Sequence, residues 1–190
     1  MVGYRIILAS NSPRRKELLA GLDVDFEVRV LKDIDESYPA TLPTPEIAEY
    51  ISKKKAAAYR ATMAADELVI TADTVVILGD KVMGKPHDDA EARQMLRELS
   101  GQTHQVVTGV TLTTLERQQS FSVVSDVTFK TLSEDEIDYY VTRYKPFDKA
   151  GAYGIQEWIG YIGVTALNGS YFNVMGLPVQ RIYEALRQFA

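Results

Sequence analysis

The sequence predicts an α/β protein built on a mixed β-sheet with flanking helices. Three observations lead to this prediction. Apolar and β-branched runs alternate along the chain with segments of helical periodicity. Two long strand-like runs follow each other directly, which places an antiparallel pair among alternating strands and helices. The 190 residues are 46% hydrophobic and 25% charged, as is usual for a globular fold.

The first third of the chain predicts two strands and two helices in alternation. Residues 4–9 form a short apolar run that is typical of a buried strand, and residues 26–30 alternate like a strand with one wet face. Ser12–Pro13 and Thr44–Pro45 each place a hydroxyl before a proline, which predicts the start of a helix. We expect the second of these helices to end near residue 62.

The middle of the chain predicts strands, a tight turn and a helix. Residues 68–78 are apolar and β-branched, but Ala72–Asp73 divides them into two predicted strands. Gly79–Asp80 has the composition of a hairpin turn. Asp88 and Glu91 have the spacing of a capping box before an amphipathic helix.

The last part of the chain predicts an antiparallel strand pair over residues 106–115 and 121–130. Ser133 begins a second capping box ahead of a helix, whose predicted buried stripe is Ile137, Tyr140, Val141 and Tyr144. Residues 159–167 are strand-like, and Pro178 opens a terminal helix.

Composition excludes several classes of chemistry. Without cysteine, the chain has no disulfide framework, no thiolate nucleophile and no Cys-based metal site. The formal net charge of −5 argues against a large nucleic-acid or membrane surface. No apolar run approaches a membrane span, and the N-terminus has no signal-peptide pattern. We therefore expect a cytoplasmic protein without a nucleic-acid or membrane partner.

The first candidate site is the predicted strand-to-helix turn at residues 10–16, Ser-Asn-Ser-Pro-Arg-Arg-Lys. Hydroxyls, free N–H groups at a helix start and three cations suit a phosphate chain. The alternative is an N-cap followed by a solvated basic turn.

The second candidate, residues 79–86, fits the first seven positions of a phosphate-binding P-loop. The next position needs Ser or Thr to reach Mg²⁺, and here it is Pro86. The glycines also belong to a hairpin turn rather than to a strand that runs into a helix. We reject the P-loop and keep Lys85 as a cation fixed beside a rigid proline.

The third candidate is Asp73, which interrupts an apolar run. A buried carboxylate is costly unless it binds a metal or a cation or stabilises a turn. Asp73 is therefore either a general base or Mg²⁺ ligand, or an Asp that stabilises its own turn. Residues 33–36 add carboxylates in a loop, and the run Lys53–Lys55 is typical of a solvated helix face.

Seven segments of the chain, which include the candidates above, form a recognisable series when taken in order. They are Leu8-Ala-Ser-Asn-Ser-Pro-Arg-Arg15, Lys55-Ala56, Ala72-Asp-Thr-Val-Val76, Gly84-Lys-Pro86, residues 95–104, Asp148-Lys-Ala-Gly-Ala-Tyr-Gly-Ile-Gln156 and Asn173-Val-x-Gly-Leu-Pro178. Together they closely resemble the Maf family of nucleoside triphosphate pyrophosphatases. The resemblance implies one domain over residues 1–190, similar to inosine-triphosphatase-like proteins. It also implies an elongated mixed sheet and two lobes around a nucleotide cleft, with no separable linker.

The resemblance also implies roles for individual residues. Asp73 matches the family's proton acceptor, and Asp73 and Glu36 match ligands of a divalent cation, Mg²⁺ or Mn²⁺. Lys55, Lys85 and Glu36 complete the implied catalytic set, although Asp35 and the run Lys53–Lys55 leave the register of Glu36 and Lys55 open. The implied phosphate-binding residues are Ser10, Ser12 and Arg15.

Substrate choice is implied by Arg14, Thr74 and Gln156, which match the dTTP/UTP branch of the family. The 7-methyl-GTP branch has an aromatic residue, Gln and Glu at these positions. A Gln amide offers a donor and an acceptor to the edge of uracil or thymine. The implied reaction is water attack at the α-phosphorus of dTTP, UTP or modified pyrimidine nucleotides, which yields the monophosphate and pyrophosphate.

The implied biological role is removal of unwanted nucleotides by a homodimer, with a link to cell-division arrest. Two alternatives remain open at this stage. One is a nucleotide-binding regulator of cell division that acts through a partner. The other is a pyrophosphatase of the 7-methyl-GTP type.

Overall fold

The structure, a computed structural model that describes residues 3–190, alternates strands and helices along the chain. The strands are β1 (Arg5–Leu8), β2 (Phe26–Val28), β3 (Glu67–Leu78), β4 (Lys81–Met83), β5 (Thr103–Thr113), β6 (Gln118–Phe129) and β7 (Val164–Asn168). The helices are α1 (Pro13–Ala20), α2 (Ile47–Arg60), α3 (Asp89–Leu99), α4 (Glu134–Tyr144), α5 (Trp158–Gly163), α6 (Tyr171–Met175) and α7 (Val179–Arg187).

The strands form one seven-stranded sheet in the order β2-β1-β3-β5-β6-β7, and β4 pairs with β3. Strand β1 is parallel to both β2 and β3, whereas the β3–β4 and β6–β7 pairs are antiparallel. The long strands β5 and β6 are neighbours in the sheet, as expected for the predicted pair. The prediction of a mixed α/β sheet is therefore confirmed.

Two compact units share these strands. The first comprises the chain up to Asp73, Thr108–Val123 and Gly176–Ala190, and the second comprises Thr74–Val107 and Val124–Met175. The boundaries fall inside β3, β5 and β6, so each unit contains part of all three strands. Residues 1–2 lie outside the described part of the chain, and the single domain over residues 1–190 stays a prediction.

In the first unit, parallel pairing brings the end of β1 beside the middle of β3. Leu8 is opposite Ile70, and the Ala9 N–H donates to the Ile70 carbonyl at 2.9 Å. Both Leu8 and Ile70 are fully buried, as is usual for strands covered on both faces. The turn after β1 therefore begins next to the segment of β3 that leads to Asp73.

Helix α2 packs against the sheet of the first unit through small and hydroxyl-bearing residues. The Ser52 and Thr111 hydroxyls lie 2.8 Å apart, and the Thr71 hydroxyl donates to the Ser52 carbonyl at 2.8 Å. Gly109 on β5 lies directly against the helix backbone, because a Cβ there would be 2.2 Å from the Glu49 nitrogen. This close approach fixes how near α2 comes to the sheet.

The second unit has its own hydrophobic core, which α3, α4 and the sheet enclose. Leu96 and Tyr140 are fully buried in it, and the His104, Phe129 and Tyr153 rings meet edge to face at 4.9–5.3 Å between centroids. The predicted capping box at Ser133 is complete, because its hydroxyl accepts from the Glu136 N–H and the Glu136 carboxylate accepts from the Ser133 N–H.

Three local predictions were wrong. Strand β3 runs unbroken through Ala72–Asp73, because an ion pair compensates the Asp73 carboxylate and no turn is needed. The predicted strand over 159–167 begins as helix α5 and becomes strand only at Val164. Thr44–Pro45 starts a 3-10 turn over Thr44–Glu46, and the α-helix follows at Ile47.

The capping box predicted at Asp88 is only half formed. The Asp88 side chain accepts from the Glu91 N–H, but the Glu91 carboxylate accepts from the N–H of His87 instead of that of Asp88. Within the described residues, no helix combines the length and the apolar character needed to cross a bilayer.

Candidate functional site

The turn from β1 into α1 carries the two predicted phosphate-binding serines. Ser10 is buried, and its hydroxyl oxygen accepts from the Ser12 N–H at 3.2 Å. Ser12 is the N-cap of α1, and its hydroxyl oxygen accepts from the Arg15 N–H at 3.4 Å. Pro13 has no N–H and the Arg15 N–H already donates to Ser12, so the groups here that suit an anion are the two serine hydroxyls and the positive end of the α1 dipole.

Arg14 and Arg15 follow in the first turn of α1, and both are half-buried. The Arg15 guanidinium donates to the Gly176 carbonyl at 2.8 Å and to the Ala72 carbonyl at 2.9 Å. Burial lowers the pKa of Arg15, and the Asp73 carboxylate opposes this change. Arg15 therefore holds the backbone immediately before Asp73.

Lys55, Asp73 and Glu36 form an ionic cluster in the first unit. The Lys55 ammonium lies 2.9 Å from Asp73 Oδ1 and 3.2 Å from Glu36 Oε1. It also donates to the Ala72 carbonyl at 3.4 Å, the same oxygen that accepts from Arg15. The Lys55 and Asp73 side chains are 12% and 15% exposed, so their attraction is screened less than that of a surface pair.

The three lysines of the run Lys53–Lys55 on α2 have different ionic partners, because successive residues of a helix face different directions. Lys53 pairs with Glu49 one turn back, and Lys54 pairs with Asp35. Lys55 is directed to Asp73, and Glu36 rather than Asp35 lies beside Lys55. Hydrogen bonds from Lys54 and from the Ser37 hydroxyl and N–H hold the pKa of Asp35 well below its usual range.

The Asp73 and Glu36 carboxylates are the donor set available to a cation in this cluster. Within the described residues, no group of three or more His, Cys, Asp or Glu side chains could hold a metal ion. Mg²⁺ is usually bound through one or two carboxylates, with water and substrate phosphate as its other ligands. Two carboxylates that already converge on one ammonium fit this mode of binding.

The second unit contains the other three predicted residues. Thr74 is half-buried and follows Asp73 along β3. Lys85 is exposed in the loop between β4 and α3, and the preceding Gly84 carbonyl accepts from the Gly151 N–H at 3.0 Å. Gln156 is half-buried in the segment between α4 and α5.

The segment around Gln156 contains an ionic network that the sequence analysis did not identify. The Lys149 ammonium lies 2.9 Å from Asp148 Oδ1 and 3.1 Å from Glu157 Oε1, and Lys149 is buried. The Tyr140 hydroxyl donates to Glu157 Oε2. The sequence pattern placed Tyr140 on the buried stripe of α4 but gave no sign of this polar contact.

Known proteins resemble this chain over nearly its whole length. A family model described as Maf-like protein matches residues 5–189. The chain is 65% identical over 185 residues to a dTTP/UTP pyrophosphatase of Phocaeicola vulgatus, which covers 97% of this chain and 96% of that protein. It is 62% identical, with the same coverage, to a dTTP/UTP pyrophosphatase of Bacteroides thetaiotaomicron. A solved nucleoside-triphosphatase / dITP/XTP pyrophosphatase from Mycobacterium abscessus shows 16% identity and a TM-score of 0.42, with coverage of 96% of this chain and 94% of that chain.

Proposed function

The chain belongs to the Maf-like protein family, and on that premise we propose that it hydrolyses dTTP and UTP to the monophosphate and pyrophosphate. The Lys55–Asp73–Glu36 cluster is the observation that carries the proposal, because it combines a base, a phosphate-binding cation and a second carboxylate. Relatives at 65% and 62% identity named dTTP/UTP pyrophosphatase support the substrate class. Modified pyrimidine nucleotides that share the same base edge would be substrates as well.

Asp73 accepts the proton of the attacking water in this mechanism. Its Oδ1 is held by Lys55, which fixes the orientation of the carboxylate, and Oδ2 takes the proton. The water oxygen bonds to the α-phosphorus, and the bond from that phosphorus to the α–β bridging oxygen breaks. The electron pair of that bond leaves with pyrophosphate.

Cations and the start of α1 bind the phosphates. Lys55 stabilises negative charge on the α-phosphate under attack, and Lys85 binds the leaving pyrophosphate. Ser10, Ser12 and the positive end of the α1 dipole complete the phosphate contacts. Arg15, which the family resemblance implies as a phosphate ligand, is assigned instead to the backbone beside Asp73, because its guanidinium donates to the Ala72 and Gly176 carbonyls. Asp73 and Glu36 would hold a divalent cation, Mg²⁺ or Mn²⁺, which when bound neutralises charge on the triphosphate.

Base selection is the role that we assign to Arg14, Thr74 and Gln156. Uracil and thymine present an N3–H donor between two carbonyl acceptors, and a Gln amide carries one donor group and one acceptor. A Glu at position 156 would lose the donor and would repel the acceptor edge. The identity of this residue therefore favours a pyrimidine with a carbonyl-rich edge.

A nucleotide panel with product identification tests the proposal. With Mg²⁺ or Mn²⁺, the purified protein should convert dTTP and UTP to monophosphate and pyrophosphate, and Asp73→Asn should abolish turnover while folding is retained. Release of orthophosphate would contradict the chemistry, and a clear preference for 7-methyl-GTP would contradict the substrate class.

A further inference from the structure

Gln156 occupies the third position of a four-residue turn. The Glu157 N–H donates to the Gly154 carbonyl at 3.0 Å, which closes the turn over Gly154–Glu157. The two ends that close such a turn fix the backbone at its third position and with it the direction of the Cα–Cβ bond there. Whatever fixes Gly154 and Glu157 therefore fixes the position from which the Gln156 side chain starts.

One hydroxyl group binds both ends of this turn. The Tyr140 oxygen accepts from the Gly154 N–H at 3.0 Å, and its O–H donates to Glu157 Oε2. Tyr140 comes from α4 and is fully buried. Burial and the hydrogen bond to Glu157 raise the pKa of Tyr140, so the proton of this second bond stays on the hydroxyl.

The other side of the turn is held by Lys149 and by the absence of a side chain at Gly154. The Lys149 ammonium lies 3.1 Å from Glu157 Oε1, so both oxygens of the Glu157 carboxylate have a donor. A Cβ on Gly154 would be 3.0 Å from Lys149 Cε and 3.2 Å from Gln156 Nε2. Lys149 and the Gln156 amide therefore converge over the Gly154 backbone, where a side chain would force them to shift by a few tenths of an ångström.

We propose that Tyr140 is a positioning residue for base selection, because its hydroxyl clamps both ends of the turn that presents Gln156. The proposal rests on the proposed role of Gln156 in reading the base. With the clamp in place, the Gln156 amide meets the uracil edge in one orientation. A loosened Gln156 can turn its donor or its acceptor outward, so the cytosine edge, with its amino donor and N3 acceptor, is accepted nearly as well.

The ring of Tyr140 has a separate, structural role, which allows the hydroxyl to be tested alone. Tyr140 stacks on Tyr144 one turn along α4, with ring centroids 5.1 Å apart. Tyr140→Phe retains this packing and removes only the clamp. Tyr144→Phe is the matched control, since it removes a hydroxyl from the same stacked pair but not from the turn.

The experiment measures kcat and KM for UTP and CTP in wild type, Tyr140→Phe, Tyr144→Phe and Gln156→Ala. Tyr140→Phe should lower the UTP-to-CTP ratio of kcat/KM about tenfold, mainly through a higher KM for UTP, the equivalent of one hydrogen-bond contribution. Tyr144→Phe should keep the wild-type ratio. The double variant Tyr140→Phe/Gln156→Ala should be no less selective than Gln156→Ala, because both changes act through one side chain.

The possible failures are distinguishable. If Gln156→Ala lowers the ratio and Tyr140→Phe does not, the clamp is refuted while the proposed function stands. If Gln156→Ala itself leaves the ratio unchanged, the proposed base reading fails. If Tyr140→Phe does not fold, Glu157→Ala tests the other partner of the clamp. That variant should lower the ratio at least threefold by removing the acceptor of the Tyr140 hydroxyl, and an unchanged ratio would overturn the proposal.

Discussion

A methyl group at Gly109 should separate α2 from the sheet of the first unit. In Gly109→Ala the new Cβ would lie 2.2 Å from the Glu49 nitrogen and 2.3 Å from the Ala48 carbonyl carbon. Both atoms are backbone, so relief requires movement of the helix by about 1 Å before the nearest contact reaches 3.4 Å, the lower end of ordinary van der Waals contact. Overpacking a buried contact costs about 1–3 kcal/mol, and a rigid backbone obstacle places this change at the upper end.

Thermal and urea unfolding should therefore show Gly109→Ala about 3 kcal/mol less stable than wild type, a decrease in Tm on the order of 6–12 °C for a chain of this size. Activity should fall as well, because α2 carries Lys55 to Asp73. Gly3→Ala is the control, since its Cβ would meet nothing within 4 Å. A Gly109→Ala protein within 0.5 kcal/mol of wild type would refute the reasoning about the close approach.

Three further predictions concern the site and the core. Lys55→Gln should lower kcat about 100-fold or more, whereas Lys53→Gln and Lys54→Gln should leave turnover near wild type, because only Lys55 contacts Asp73; equal losses in all three would contradict the assignment. Arg15→Lys should lower kcat about tenfold with little change in KM for UTP, because Arg15 supports the backbone beside Asp73; an effect confined to KM would instead indicate direct phosphate binding. Burial lowers the pKa of His104 to about 4. As the pH falls, His104 is protonated in the unfolded state before it is protonated in the folded state. The free energy of unfolding should therefore keep its full value above about pH 6.5 and decrease by about 3 kcal/mol as the pH falls to about 4. His104→Gln should reduce that slope in urea titrations by the His104 contribution, and an unchanged slope would place its origin elsewhere.

Local signals predicted most elements of the fold. Ser12–Pro13 and the box at Ser133 depend on hydrogen bonds within one turn, so a short stretch of sequence contains the whole interaction. The error at Asp73 arose because a distant partner decides the outcome. Asp73 stays inside β3 because Lys55, eighteen residues earlier in the chain, compensates its charge.

The candidate site also has a part that the sequence predicted and a part that depends on distant contacts. Residue roles followed from the resemblance of ordered motifs, but the motifs left open which lysine of the Lys53–Lys55 run faces Asp73. The phase of α2 decides this, and it depends on packing against β5 at Gly109. The Tyr140 clamp had no sequence signal beyond a buried stripe, because its partners Gly154 and Glu157 lie more than a dozen residues away.

Isotope labelling tests the central claim most directly. Hydrolysis of UTP in water enriched with ¹⁸O, followed by mass spectrometry of the products, shows which phosphorus the water attacks. Attack at the α-phosphorus predicts one ¹⁸O atom in UMP and none in pyrophosphate. Label in pyrophosphate, or formation of orthophosphate in place of pyrophosphate, would contradict the reaction that we assign to Asp73 and Lys55.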